Sequence, residues 1–407
     1  MRKAIVIGCH VNGLGVIRSL SWKNFHIIAL FYDEKIHFSH VSNLVNERVK
    51  APHPRTQEKE FIDFLIQNSP RWKGALIIDT NDDVLIALSK NRKLLEQYYI
   101  IPTPEWGIAR KFIEKPETYA VAAECNVPYP ITFFPKTEEE LSSIKDKIPY
   151  PCILKPVLGH LFFSKFGVKN FMVHNYDELR NKLRFCSESG YEVMLQEIIP
   201  GPESNIYQCM MYFNSVGGIS ATFLSRKLRQ NPPVFGVARV AVSESVIPEI
   251  KDFTCRMAKR VGFQGILHSE FKQDPRDSIF KLMEVNGRIS RSNWLATYSG
   301  INFPWIAFLD LNEHKQVEAN GYKKSVYWIE LAKDVSISLF HHRGENLTFK
   351  EYWRPYLNGT KTFADISRRD LAPFIKRISV LLKNAFFGVT FSFLLVSWDT
   401  TLTIFSY

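Results

Sequence analysis

The chain is 407 residues long, 45% hydrophobic and 23% charged, with a formal charge of +11. That composition excludes a disordered chain and supplies enough apolar side chain for two or three cores. The positive balance favours anionic partners, but the basic clusters RKFIEK (110–115) and SRKLR (225–229) lack zinc-finger spacing or an aromatic RNA-binding signature, so no nucleic acid is expected.

In chain order, AIVIG (4–8) has the continuous apolar run of a buried strand. A turn holding Gly8, Gly13 and Gly15 then leads to a helix around VIRSLSWKN. The amino-terminal segment is interrupted by His and Asn too soon for a secretory signal. HIIALFYD (26–33) follows as a second strand, giving the order of a parallel α/β unit. GALIIDTNDD (74–83) is another apolar strand ending in a polar cluster, and ligands of open parallel sheets lie at such ends. The early glycines lack GxGxxG spacing, which favours a tight turn packing strand on helix; Asp33, ending the second strand, keeps a nicotinamide-dependent oxidoreductase as an alternative.

After the prolines of IPTPEWG (101–107), one helix is expected over ARKFIEKPETYAVAAECN and another over TEEELSSIKDK (137–147). The strand PCILKP (151–156) comes next, then the strand FMVHN, a helix at YDELRNKLRFCSES and the strand EVMLQEII. From about 191 to 310 strands dominate, interrupted by a helix near PEIKDFTCRMAKRVGF. Six dispersed cysteines form no CxxC pair and no Cys/His cluster, which argues against disulfides or structural zinc and fits a reducing cytoplasm.

The chemistry concentrates in three places. PCILKP puts Lys155 at the end of an apolar strand, where it calls for a phosphate or carboxylate. LQEIIPGPE (195–203) runs from a strand into a Pro-Gly turn with an acid beyond. HSEFK (268–272) and KLMEVNGRIS (281–290) are expected to be two neighbouring strands. In the second, Glu284, Asn286 and Arg288 alternate with apolar or glycine positions and so share one face. Each residue taken singly reads equally well as a solvated surface group. Together, Glu270, Glu284 and Asn286 on one face collect like charge that only cations relieve, and oxygen ligands suit magnesium or manganese.

With those motifs in place, the chain resembles the ATP-grasp superfamily, and more closely its carboxylate-amine ligase-like members, over roughly residues 1 to 310; KLRQNPPVFG (227–236) is also similar to a segment of those ligases. The resemblance implies an α/β class. An N-terminal open parallel pre-ATP-grasp domain (1–105) would precede a two-lobed α+β ATP-grasp fold (lobe A 106–190, lobe B with the metal site 191–325) and a C-terminal extension (326–407). It implies an ATP-dependent, ADP-forming ligase that joins a small-molecule carboxylate to an amine (or a thiol) through an acyl phosphate. Its cofactors would be ATP and Mg2+ or Mn2+, with two ions.

Residue by residue, the resemblance gives Lys115 and Lys155 the ATP phosphates, Gln196 the adenine amino group, the backbone of Glu197 and Ile199 the adenine edge, and Glu203 the ribose. Glu270, Glu284 and Asn286 match metal ligands, Glu284 bridging two ions. Arg288, with Lys155, is the expected catalytic residue, stabilising the transferring phosphoryl group. The sequence departs from the family pattern in VLGHLFFSKFGVKN, where a glycine-rich loop is usual and only Gly159 and Gly167 occur, with His160, Lys165 and Lys169 as substitute donors. Asp79, Asn81 and Asp83 are placed to hold a substrate amino group, while Asp82 or Asp83 reads at least as well as a cap of the helix that follows.

At the C-terminal end, Arg368, Arg369, Lys376, Arg377 and Lys383 precede an uncharged run, Asn384 to Trp398, shorter than the roughly 20 residues a spanning helix needs. Packing on the core and a basic amphipathic contact with an anionic leaflet both fit. The expected location is cytoplasmic, at the inner face of the cell membrane if the tail attaches. A homodimer and a non-catalytic ATP-binding scaffold at the membrane surface remain open at this stage.

Overall fold

The computed structural model describes residues 1–157, 170–232, 235–315, 317–319, 321–340 and 347–382. The glycine-poor loop and the tail from 383 onward, with its uncharged run Asn384 to Trp398, lie outside the described residues.

The first unit is built from β1 (Lys3–Ile7), α1 (Val11–Ser21), β2 (His26–Phe31), β3 (Glu47–Lys50), α2 (Glu58–Gln67), α3 (Ser69–Trp72), β4 (Leu76–Asp79), α4 (Asp82–Lys90) and α5 (Arg92–Leu95). Its strands pair in parallel in the order β3-β2-β1-β4. Helices cover both faces of such a sheet, which is why β1 and β4 read as unbroken apolar runs. The turn expected at Gly13 and Gly15 is instead the first half of α1. A Cβ on Gly13 would sit 2.2 Å from the Gly8 carbonyl oxygen, and one on Gly15 2.4 Å from Asn293 Oδ1. These glycines let the helix press against its neighbours, so packing accounts for them without a dinucleotide.

The second unit opens with α6 (Trp106–Ile113) and α7 (Lys115–Glu124), two helices where the sequence suggested one. Pro116 is the cause: it stands in the first turn of α7, where a missing N–H costs nothing, and it restricts Lys115 before it. Then come β5 (Thr132–Phe133), α8 (Glu138–Ser143), β6 (Cys152–Pro156), β7 (Phe171–Val173), α9 (Tyr176–Glu188) and β8 (Val193–Glu197). The strands form an antiparallel sheet in the order β5-β8-β6-β7.

The remaining elements are β9 (Ile206–Phe213), β10 (Ile219–Asn231), β11 (Val237–Glu244), α10 (Pro248–Val261), β12 (Gly265–Gln273), β13 (Phe280–Asn286), α11 (Asn293–Ser299), α12 (Phe303–Glu313), β14 (Val326–Ile329), α13 (Leu331–Phe340), α14 (Phe349–Leu357) and β15 (Thr360–Phe363). Their strands make one sheet, β13-β12-β9-β10-β11-β14-β15. The sheets cut across two of the expected boundaries: β8 belongs with β6 rather than with the large sheet, and β14 and β15 extend the large sheet past residue 325.

One core joins the first unit to the large sheet, with Val6, Leu14 and Ile17 packing in the same cluster as Met210, Trp294 and Trp328. Arg18 of α1 donates to the carbonyls of Phe363 and Ala364, both at 2.9 Å. The small sheet keeps a separate core around Leu154, Leu179 and Leu195. Buried charges are paired, as desolvation requires: Asp334 lies 3.0 Å from Arg229 and 3.1 Å from Arg239, and Glu330 2.6 Å from Arg291. Among the described residues, no helix is long and apolar enough to cross a membrane.

Candidate active site

β12 and β13 are antiparallel neighbours, and their register sets Glu270 directly opposite Glu284 and His268 opposite Asn286. Side chains of directly opposed residues lie about 5 Å apart at Cβ, so two carboxylates here repel unless a cation intervenes. The two are treated differently. Glu270 accepts from Lys227 Nζ at 2.7 Å and from Gln208 Nε2 at 3.2 Å. Glu284 is exposed and, among the described residues, its carboxylate accepts no hydrogen bond. It is an anion presented to the space in front of it.

That space is a cleft of about 630 Å³ between the small sheet and the large one. Lys115 and Lys155 line it on one side, and Glu270, Glu284 and Asn286 on the other. Ile153, Met194, Ile199, Val237 and Leu282 give it apolar walls, the mixture of apolar lining and convergent polar groups usual for a small-molecule site. Lys155 sits on β6 and donates to Gln196 Oε1 at 2.8 Å. Burial, and then the positive charge of Lys115, push its pKa down to about 8, against the pull of Glu284 and Glu270. Lys115, starting α7, donates to the Val157 carbonyl at 3.1 Å. Two cations are therefore held close together with too little negative charge to balance them, a place an oligophosphate suits.

The hinge between the sheets is braced. Lys272 donates to the carbonyls of Ile199 and Gly201 at 2.8 and 2.9 Å, and Glu197 is paired with Arg276. Among the described residues the Ile199 N–H makes no hydrogen bond, and Ile199 lines the cleft. No group of three or more His, Cys, Asp or Glu side chains among the described residues could hold a metal by itself. Two carboxylates and an amide supply only part of a magnesium shell, so the set fits an ion whose remaining ligands are phosphate oxygens and water.

No family model matches the chain. It is 23% identical, over 387 residues, to the D-aspartate ligase of Enterococcus faecium, covering 89% of this chain and 90% of that one. The L-amino acid ligase of Bacillus licheniformis superposes with a TM-score of 0.58 at 17% identity, over 76% of this chain and 74% of that one. The biotin carboxylase domain of the Hydrogenobacter thermophilus 2-oxoglutarate carboxylase, crystallised with MgADP and bicarbonate, gives 0.62 at 16% identity, over 80% and 73%. This chain has the ATP-grasp fold.

Within the ATP-grasp fold the small sheet and the large sheet are the two lobes, and the cleft lies between them. Seven of the ten expected site residues line it: Lys115, Lys155, Glu197, Ile199, Glu270, Glu284 and Asn286. The other three do not. Gln196 is fully buried beneath the wall, its Nε2 donating to Tyr119 at 2.7 Å and Thr132 at 3.0 Å, and its Oε1, the acceptor an adenine amino group needs, is taken by Lys155 at 2.8 Å. Its side chain fixes Lys155 instead. Glu203 accepts from the backbone N–H of Gln230 at 2.8 Å, and it is Gln230 that reaches the cleft. Arg288 is not itself in the cleft wall but forms a two-pronged pair with Asp82 at the start of α4, at 2.5 and 3.3 Å, and reaches Asn286 at 3.1 Å, and both of these partners line the cleft.

Three further residues support the cleft and were not assigned to it from the sequence. Lys227 holds Glu270, Lys272 braces the hinge, and Asp82 holds Arg288. Lys272 was legible, standing two positions after Glu270. Lys227 and Asp82 were not, because their partners are 43 and 206 residues away. Asp79, also considered for a substrate, is buried with its pKa pushed up to about 6 by burial, and accepts from Thr103 at 3.0 Å. Asn81 caps α4, accepting from Val84 N–H at 3.0 Å.

Proposed function

We propose that this ATP-grasp protein is an ATP-dependent, ADP-forming carboxylate–amine ligase whose activated carboxylate belongs to an amino acid. The observation that carries the reading is the cross-strand pair Glu270/Glu284 facing Lys115 and Lys155 over one cleft. The likeness to a D-aspartate ligase and an L-amino acid ligase supports the substrate class.

In this reading the adenine lies between the apolar walls, its edge meeting the free Ile199 N–H. Lys115 and Lys155 hold the phosphates. Glu270, Glu284 and Asn286 would hold the magnesium, two ions in this reading, which would neutralise charge on the triphosphate. The substrate carboxylate oxygen attacks the γ-phosphorus, the bond to the β-γ bridging oxygen breaks, and ADP leaves. The amine nitrogen then attacks the acyl carbon, inorganic phosphate departs, and the amine loses a proton. Neither step needs a protein nucleophile; both need alignment, which the two lysines and Arg288 provide. Arg288 serves from its position against Asp82 and Asn286.

The test is a screen of amino acid pairs for Mg2+-dependent ADP release, with hydroxylamine as a trapping amine. Accumulation of a hydroxamate with one amino acid supports the reading. ATP binding without carboxylate-dependent ADP release across the amino acids would replace it with the non-catalytic scaffold.

A further inference from the structure

The last described segment, helical over residues 372–382, has two unlike faces. Pro373, Arg377 and Val380 turn inward. Arg377 donates to Glu330 at 2.8 Å and lies 4.9 Å from the Phe38 ring centroid, which pins the helix to the body. On the outer side Leu371, Ile375, Ile378 and Leu382 are 47%, 64%, 37% and 57% exposed. At 3.6 residues per turn, steps of four, three and four confine these four side chains to an arc of about 60°, opposite the inward face. Scattered exposed apolar residues need no explanation, but a straight stripe of four branched aliphatics does.

The surroundings of the stripe indicate what meets it. Arg368 and Arg369 are exposed immediately before the helix. The stripe's neighbourhood is thus cationic. The sequence that follows, 383–407, contains a single lysine, Lys383, and a single acid, Asp399, among many aromatic and aliphatic residues. An aliphatic ridge preceded by two exposed arginines and followed by an apolar sequence has the chemistry of an interfacial membrane contact, the apolar side chains entering the acyl boundary and the cations meeting anionic headgroups. We propose that this helix docks the protein on an anionic phospholipid surface. A second copy of the chain is the poorer occupant, since two such faces would bring like charges together.

The full chain is tested by co-sedimentation with vesicles containing about one-third phosphatidylglycerol in phosphatidylcholine, against phosphatidylcholine alone. The proposal expects partitioning onto the anionic vesicles, lowered at least tenfold by Ile375→Glu with Ile378→Glu, and lowered severalfold by Arg368→Gln with Arg369→Gln or by raised salt. Thermal melting and ADP release report that the variants are folded, since none of these residues touches the cleft. Absence of vesicle binding by the parent chain overturns the proposal, as does binding that survives the double glutamate change. A halved solution mass in that variant overturns it in favour of a dimer interface. None of these outcomes depends on whether the cleft is a ligase site.

Discussion

Lys155 offers a quantitative test of the cleft. In the nucleotide-free protein burial and Lys115 hold its pKa near 8, so the amine is about half protonated at pH 8 and about 90% neutral at pH 9. A triphosphate placed against it favours the charged form and returns the pKa toward the ordinary 10.5. Binding of ATP should therefore take up about half a proton at pH 8, about 0.9 at pH 9 and about 0.1 at pH 7. The phosphate's own last proton, with a pKa near 6, is essentially gone at pH 8 and above. Titration calorimetry in buffers of different ionisation enthalpy measures the uptake directly, and apparent affinity should fall about tenfold per pH unit above 8. Lys155→Met should abolish both effects. The sign for stability follows from the same shift: the unfolded lysine binds the proton more tightly, so without nucleotide the penalty is full below pH 8 and is relieved as pH rises toward 10.5. Uptake below about 0.1 at pH 8, or the same uptake in Lys155→Met, would refute the placement of phosphates at this lysine.

Other changes should separate binding from structure. Glu284→Gln should leave melting in the absence of ligand unchanged, remove the extra thermal protection that Mg2+ gives with ATP, and lower carboxylate-dependent ADP release by about two to three orders of magnitude. Asp82→Asn leaves Arg288 less firmly held; kcat should drop about tenfold with ATP affinity nearly constant, and a double-mutant cycle with Arg288→Lys should show coupling. Asp334→Ala strands Arg229 and Arg239 in the interior, at a cost of about 3–5 kcal/mol in urea unfolding. Gly15→Ala drives a methyl group into Asn293, which is itself tied to Asn12 and Ser290, and should cost about 1–3 kcal/mol by the same measurement.

Strands and their faces were readable because alternation is a local property. The row Glu284, Asn286, Arg288 follows from period two alone, and the register with Glu270 completes it. What escaped depends on distant chain. Nothing near Arg288 announces that its guanidinium leaves the row for Asp82, and nothing in LQEII shows that Gln196 is consumed by Tyr119, Thr132 and Lys155. The division of α6 from α7 was legible in Pro116, but the helical pattern on both sides masked it. Likewise β14 and β15 look like an appendage in sequence, because a strand's place in a sheet is settled by its partner and not by its neighbours in the chain.

The separate core of the small sheet has a mechanical consequence. The first unit is welded to the large sheet through shared side chains, while the small sheet is attached chiefly at the braced segment near Ile199 and through Gln196 to Tyr119. Any jaw-like motion must therefore carry Lys155 as the travelling tooth, with Glu270, Glu284 and Arg288 staying on the fixed bed. A site so divided keeps its carboxylate-bearing strands in register through such a motion and varies the distance to the Lys155 amine.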